Sequence, residues 1–323
     1  MKIAVLTGGG VAPGMNAAVR AVAQAAFGKG WEVAAVESGY AGLLEGRFRS
    51  VDSGALSGWM SRGGTMLGTE RSDDFATDEG KSRAVEAARE AGVEGLVVVG
   101  GGGSLAGALA LDERGLPVAG IPATIDNDVA GTDMSIGVDT ALNTAVGIID
   151  RIRDTASSHH RAHVVEVFGR DNGYLAVMSA LAGGADAVLT PEFETKPEDI
   201  VRLLEESYEG GKPHFVVVVS EGASPTADEL CGHINDAGES YAADLTAAGH
   251  IQSGGGPTAF DRILAGRLGA AAVKALADGD AGKMMGLQGN VIERVPLEEI
   301  VGEDRPLDPG LYELAGELAR IPR

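Results

Sequence analysis

"GLVVVGGGGSLAGALAL", residues 95–111, decides the fold. An apolar run of strand length meets four consecutive glycines, Gly100 to Gly103, and a small-residue helical stretch follows. A fully apolar run is the mark of a strand buried on both faces, as in a parallel sheet. Glycines between such a strand and a helix make a turn whose free N–H groups and positive helix end suit phosphate. Here the turn offers only backbone.

Outward from this unit the alternation continues. "KIAVLT" (Lys2–Thr7) precedes a glycine loop and a helical stretch from about Met15 to Phe27. "WEVAAVE" and "LPVAGI" read as strands, and Ala84, Ala88 and Ala91 share a helical face that stops at Gly92. Val138, Ala141, Leu142, Ala145, Val146, Ile149 and Ile152 recur at helical spacing. "HVVEVFG", "ADAVLT" and "HFVVVVS" follow as strands, with helices near Asn172 and over Pro197–Glu209. After "GHIQSGGGPTAFDR" come a helix to about Ala277 and "KMMGLQGNVIERV", which suggests two strands. The expected class is α/β: two lobes, each a mostly parallel sheet flanked by helices, with the chemistry at the carboxyl ends of the strands.

The chain has 323 residues, 44% apolar and 23% charged, and a formal net charge of −21. That acidity argues against nucleic acid and anionic membrane as partners and makes local arginines informative. No run approaches a membrane span, and the start reads as a strand. Cys231 is the only cysteine, which excludes an intramolecular disulfide and a cysteine metal site. A reducing cytoplasm is the expected location.

Four motifs carry the chemistry. "TGGGVAPGMNAAVR" is either a phosphate loop or a tight turn that needs glycine. In "PATIDNDVAGTD", Asp126 and Asp128 are two apart; in extended chain they face one way, so one could take a proton while the other lies near a metal. The alternative is that Asp, Asn and Gly simply turn the chain. In "SSHHRAHVVEVFGRDNGYLA", Arg161 precedes a strand and Arg170 follows it, placed for phosphate or merely for the surface. In "GHIQSGGGPTAFDR", Asp261 and Arg262 are expected to pair structurally.

Five stretches, "LTGGGVAPGMNAAVR", "RGGTMLGTER", "GIPATIDNDVAGTDMSIGVDTALNT", "IDRIRDTASSHHRAHVVEVFGR" and "GHIQSGGGPTAFDRILA", stand in one order and spacing. Together they resemble the bacterial-type ATP-dependent 6-phosphofructokinases over essentially the whole chain. The resemblance implies two similar lobes with the active site in the cleft between them: a nucleotide-binding lobe of residues 1–138 plus 251–301 and a sugar-phosphate lobe of 139–250 plus 302–323. It implies phosphoryl transfer from ATP to the 1-hydroxyl of fructose 6-phosphate, with Mg²⁺, by a homotetramer. By the same resemblance Asp126 is the base, and Thr124 and Asp128 sit beside the transferring phosphate and the metal. Arg71 and Arg170 stabilise its charge. Gly9, Tyr40, Arg71, Gly103 and Ser104 match nucleotide contacts; Phe168, Gly169, Arg170, Glu221 and His250 match sugar contacts. Arg161 matches an arginine that reaches the 6-phosphate across a subunit interface, and Arg20 and Arg153 match effector-binding arginines.

The chain departs from the family pattern at Val11, Gly102, Ala123, Asp244 and Ser253. Gly102 stands where an aspartate supports Mg²⁺, a loss worth roughly 10–100-fold. Asp244 stands where a second arginine meets the 6-phosphate, and no lysine or arginine lies between Lys212 and Arg262. Small residues at Gly103 and Ala123 leave room for a nucleotide donor rather than pyrophosphate. Three readings follow: an ATP-dependent 6-phosphofructokinase with an altered site, a kinase for a related sugar lacking the 6-phosphate, and a degenerate subunit that regulates a true phosphofructokinase in a mixed oligomer.

Overall fold

The computed structural model describes residues 1–238 and 242–319. The strands, in chain order, are β1 (Lys2–Thr7), β2 (Glu32–Val36), β3 (Phe48–Val51), β4 (Gly95–Gly100), β5 (Val118–Pro122), β6 (Ala162–Val167), β7 (Ala187–Leu189), β8 (Phe215–Ser220), β9 (Ala243–Ala247), β10 (Lys283–Gln288) and β11 (Val291–Pro296). The helices of ten residues or more are α1 (Met15–Phe27), α2 (Asp78–Glu90), α3 (Gly102–Asp112), α4 (Val138–His159), α5 (Tyr174–Gly183), α6 (Pro197–Glu209), α7 (Ala227–Asp236), α8 (Ala259–Ala277) and α9 (Pro309–Ala319).

Packing divides the chain into two units, residues 1–140 with 253–305 and residues 141–252 with 306–323; residues 320–323 of the expected second lobe lie outside the described residues. The first unit is built on a seven-stranded sheet in the order β11-β10-β5-β4-β1-β2-β3. Its centre is parallel, and β3 and β11 close the two edges antiparallel. The apolar run predicted from "GLVVVG" is β4, buried at every residue between β1 and β5. The second unit carries an all-parallel sheet in the order β7-β8-β6-β9. Leu105, Leu111 and Val98 pack in the core of the first unit, and Phe215, Val217 and Ile200 in that of the second.

Four elements have no counterpart in the sequence reading: β3, α9, β9 ("ADLTA") and α7 before it. β9 is an edge strand in which only Ala243 is buried, so it shows no apolar run. Among the described residues no helix is long and apolar enough to cross a membrane.

Candidate functional site

In the first unit four loops from distant parts of the chain interlock. The nitrogen of Gly8 donates to the Val99 carbonyl at 3.0 Å, tying the loop after β1 to β4. Ser104, buried in the first turn of α3, fills the space between those loops. A Cβ at Gly8 would lie 2.7 Å from Ser104 Oγ. One at Gly100 would lie 2.7 Å from the same oxygen and 2.6 Å from the Gly8 carbonyl. These two glycines are therefore required by close packing, whereas a Cβ at Gly102 or Gly103 meets nothing within 4 Å. Gly102 and Gly103 are exposed at the start of α3, where their N–H groups have no helical partner.

Asn16 organises the loop that carries Arg71. It is fully buried, and its Nδ2 donates to the carbonyls of Arg62, Gly63 and Gly64 at 3.1, 3.1 and 2.9 Å. Its Oδ1 accepts from the Met66 nitrogen at 2.7 Å. Thr7 Oγ1 donates to the Gly68 carbonyl at 2.9 Å, and Thr69 Oγ1 to the Gly9 carbonyl at 2.9 Å. Gly63 faces the Gly255 carbonyl so closely that a Cβ would sit 2.0 Å from it. Arg71 emerges from this clamp exposed and with no carboxylate partner among the described residues.

The segment after β5 departs from the expected extended geometry. It bends at Ile125–Asp126, and Asn127 has φ +54°, so Asp126 and Asp128 are not alternate residues of a strand. The cause is Asn127 itself. It is buried, its Nδ2 donates to the Asp133 carbonyl at 3.1 Å, and its Oδ1 accepts from the Ser135 nitrogen at 3.0 Å. Asparagine tolerates the left-handed region better than most residues. Gly101 packs on Thr124, with a built Cβ 3.5 Å from Thr124 Cβ, so this segment abuts the glycine turn.

A cleft of about 290 Å³ opens there, lined by Gly102, Gly103, Asp128 and the loop Ile300–Asp304. Glu303 and Asp304 were not singled out in the sequence; the acidic run "GED" is their only signal. Tyr40 does not line this cleft. Its ring stacks on Phe75 at 4.0 Å, and its hydroxyl donates to the Ser104 carbonyl at 2.6 Å, beneath α3. Burial pushes the hydroxyl pKa well above its ordinary value.

Asp261 and Arg262 do not pair, contrary to expectation. Asp261 is fully buried and accepts from the nitrogens of Gly137 and Thr140 at 2.9 Å each and from Thr140 Oγ1 at 2.5 Å. It thus holds the start of α4, where an anion is favoured. Arg262 Nε donates to the Pro257 carbonyl at 2.7 Å. Burial raises the Asp261 pKa against these hydrogen bonds.

In the second unit the ends of β6 and β8 gather another group. Arg170 Nη2 donates to Glu221 Oε1 at 3.3 Å, and Phe168 meets His250 edge to face at 5.4 Å. Gly169 has φ +131°, and a Cβ there would lie 2.4 Å from Ser220 Oγ. Ser220 Oγ donates to the Gly169 carbonyl at 2.5 Å, which fixes the turn before Arg170. Arg161 lies at the other end of β6, and six residues at about 3.3 Å each separate it from Arg170 by roughly 20 Å. The structure therefore does not bring Arg161 together with Arg170 within one chain. Arg20 on α1 and Arg153 on α4 belong to different units, and Arg153 donates to the Gly184 carbonyl at 3.1 Å.

Divalent-ion chemistry is restricted by the donors present. Among the described residues no group of three or more His, Cys, Asp or Glu could hold a metal. Asp128 lines the cleft and Gly102 supplies no carboxylate. This set fits Mg²⁺ carried mainly on phosphate oxygens rather than in a cage of protein ligands.

Residues 2–276 match the family described as Phosphofructokinase. The ATP-dependent 6-phosphofructokinase of Listeria welshimeri is 46% identical over 318 residues, covering 98% of this chain and 99% of the relative. That of Halalkalibacterium halodurans is 45% identical over 320 residues, with 98% and 99% covered. The solved phosphofructokinase of Pichia pastoris in the T-state superposes with a TM-score of 0.89 at 37% identity. It matches 93% of this chain, which spans only 35% of that longer yeast chain.

Proposed function

The chain belongs to the phosphofructokinase family, and on that premise we propose that it transfers the γ-phosphoryl group of ATP to the 1-hydroxyl of fructose 6-phosphate. The observation that carries this reading is the set of interlocked loops in the first unit, the glycine turn, the bent Asp126–Asp128 segment and the Arg71 loop, with an open cleft lined by Gly102, Gly103 and Asp128. Phosphoryl transfer asks for positioning and charge compensation more than covalent chemistry, and rigid loops supply both.

In this mechanism the N–H groups of Gly102 and Gly103 bind nucleotide phosphate, and Gly9 and Ser104 shape the cleft. Tyr40 acts from below by fixing the Ser104 carbonyl. Asp126 takes the proton of the attacking hydroxyl, with Thr124 beside it. Arg71 and Arg170 compensate charge on the transferring group. Glu221, Phe168, Gly169 and His250 hold the sugar. Asp128 would hold Mg²⁺, which when bound neutralises the phosphate charge. The open space at Gly103 and the small Ala123 favour ATP over pyrophosphate as donor. By the family resemblance Arg161 meets the acceptor of a neighbouring copy in a homotetramer, and its place at the opposite end of β6 from Arg170 fits that reading. Arg20 and Arg153 bind an effector, and the enzyme works in the cytoplasm.

A coupled assay of the purified chain with ATP, Mg²⁺ and fructose 6-phosphate tests this. Turnover on the order of one per second or faster is the expected result; its absence, with nucleotide still bound, sinks the reading. The missing carboxylates at Val11 and Gly102 favour a second reading, a degenerate subunit of a mixed oligomer. Restored activity only on mixing with a second phosphofructokinase would establish that one.

Gly102→Asp is expected to lower the Mg²⁺ concentration needed for half-maximal nucleotide binding by about tenfold. A Cβ at that position meets nothing within 4 Å. Nucleotide titration by fluorescence at varied Mg²⁺ measures it, and an unchanged midpoint removes the proposed metal position.

A further inference from the structure

At the N-terminal end of the four-stranded sheet lies a pocket of about 310 Å³, lined by Thr155, Ala156, His159, Arg161, His163 and Asp244. β6 and β9 are parallel neighbours in a register that sets His163 against Asp244. Arg161, one residue before β6, reaches across, and its Nη1 donates to both Asp244 oxygens at 3.2 and 3.0 Å.

Arg161 and Asp244 remain 48% and 49% exposed, so the pair contributes little to stability. Its importance is to whatever enters the pocket. The single guanidinium charge is already matched, and an arriving phosphate dianion meets a carboxylate about 3 Å from the group that would bind it. Among the described residues that line the pocket there is no lysine and no second arginine. The chain from 213 to 261, which includes β9, has neither. His163 is tied to Thr246 Oγ1 at 2.9 Å, and burial holds its pKa below the ordinary value against the pull of Asp244. What the pocket presents is a balanced set: N–H groups of Arg161, the Thr155 hydroxyl and the His159 ring beside the acceptor oxygens of Asp244. Hydroxyl groups both donate and accept, so a neutral polyol matches this set better than an anion that only accepts.

We propose that the Arg161–Asp244 pair is a specificity element that disfavours a phosphate dianion and favours an uncharged, hydroxyl-bearing terminus, so that the acceptors of this chain include sugars unphosphorylated at that end. This rests on the reading above in which Arg161 meets the acceptor.

The test uses the full chain as wild type, Asp244→Asn, Asp244→Arg, and Asp244→Asn combined with Arg161→Met. Calorimetry with inorganic phosphate and with fructose 6-phosphate is set beside turnover of fructose 6-phosphate and of fructose. Wild type is expected to use the two sugars with kcat/KM within about tenfold of each other. Asp244→Asn raises kcat/KM for fructose 6-phosphate about tenfold and Asp244→Arg about a hundredfold, while fructose gains nothing. Adding Arg161→Met erases the gain. A wild-type preference for fructose 6-phosphate above about a hundredfold, or unchanged phosphate affinity in both single variants with turnover intact, overturns the proposal. If no variant turns over either sugar, the functional reading fails. Phosphate binding to Asp244→Asn, compared with wild type, still decides whether the pair excludes phosphate.

Discussion

Asp126→Asn is expected to lower kcat about a thousandfold while KM for ATP stays within about threefold. The amide keeps the size of the carboxylate but cannot take the proton of the sugar hydroxyl. Positioning should survive, because groups other than Asp126 hold the bend. Asn127, with its amide bonded to Asp133 and Ser135, holds the bend, and Gly101 packs on Thr124. Loss therefore belongs in kcat rather than in nucleotide binding. Steady-state kinetics with a coupled assay, beside nucleotide titration, measures both. A fall in kcat smaller than about tenfold would show that another group takes the proton.

Asn16→Ala is expected to destabilise the first unit by about 3–5 kcal/mol and to lower the activity that remains in the folded fraction. Alanine leaves the carbonyls of Arg62, Gly63 and Gly64 and the Met66 nitrogen without the buried amide that now meets all four. It also opens a small void in a fully buried place. The loop it releases ends at Arg71, which is held by its backbone and not by an ion pair among the described residues. Asn16→Asp separates size from hydrogen-bond direction. It keeps an acceptor for Met66 but turns a carboxylate toward three carbonyl oxygens, so it should be at least as damaging. Urea unfolding followed by fluorescence gives the stability, and kinetics below the transition gives the activity. If Asn16→Asp proved as stable as wild type, volume and not the amide would hold the loop.

Much of the fold was legible because its signals are local. β1, β4, α1 and α6 occupy the residues that apolar runs, glycine stops and helical spacing marked out. β9 and α7 were not legible: an edge strand of five residues with one buried side chain has no periodic signal. The candidate site divides in the same way. Asp126 and the glycine turns stood out as residue types at strand ends, and Arg71 through the family resemblance. Asn16 and Asn127 did not, since a buried polar residue among helical alanines or turn residues looks like any other until its partners are known. The pairing expected of Asp261 with Arg262 failed because sequence neighbours are cheap to propose, while the partner at Thr140 is 121 residues away.

Spacing and composition alone establish the alternating strands and helices, the glycine turns at strand ends and a chain with no lysine or arginine from 213 to 261. Why Gly8 and Gly100 must be glycine became visible only in three dimensions, through the Ser104 side chain wedged against both. The folded chain likewise bends between Asp126 and Asp128, sets Arg161 at the far end of β6 from Arg170, and joins Arg161 to Asp244. The reason is reach: a side chain acts over a few ångströms of space, and the groups gathered around Asn16 and Asp261 come from positions 46 to 124 residues apart.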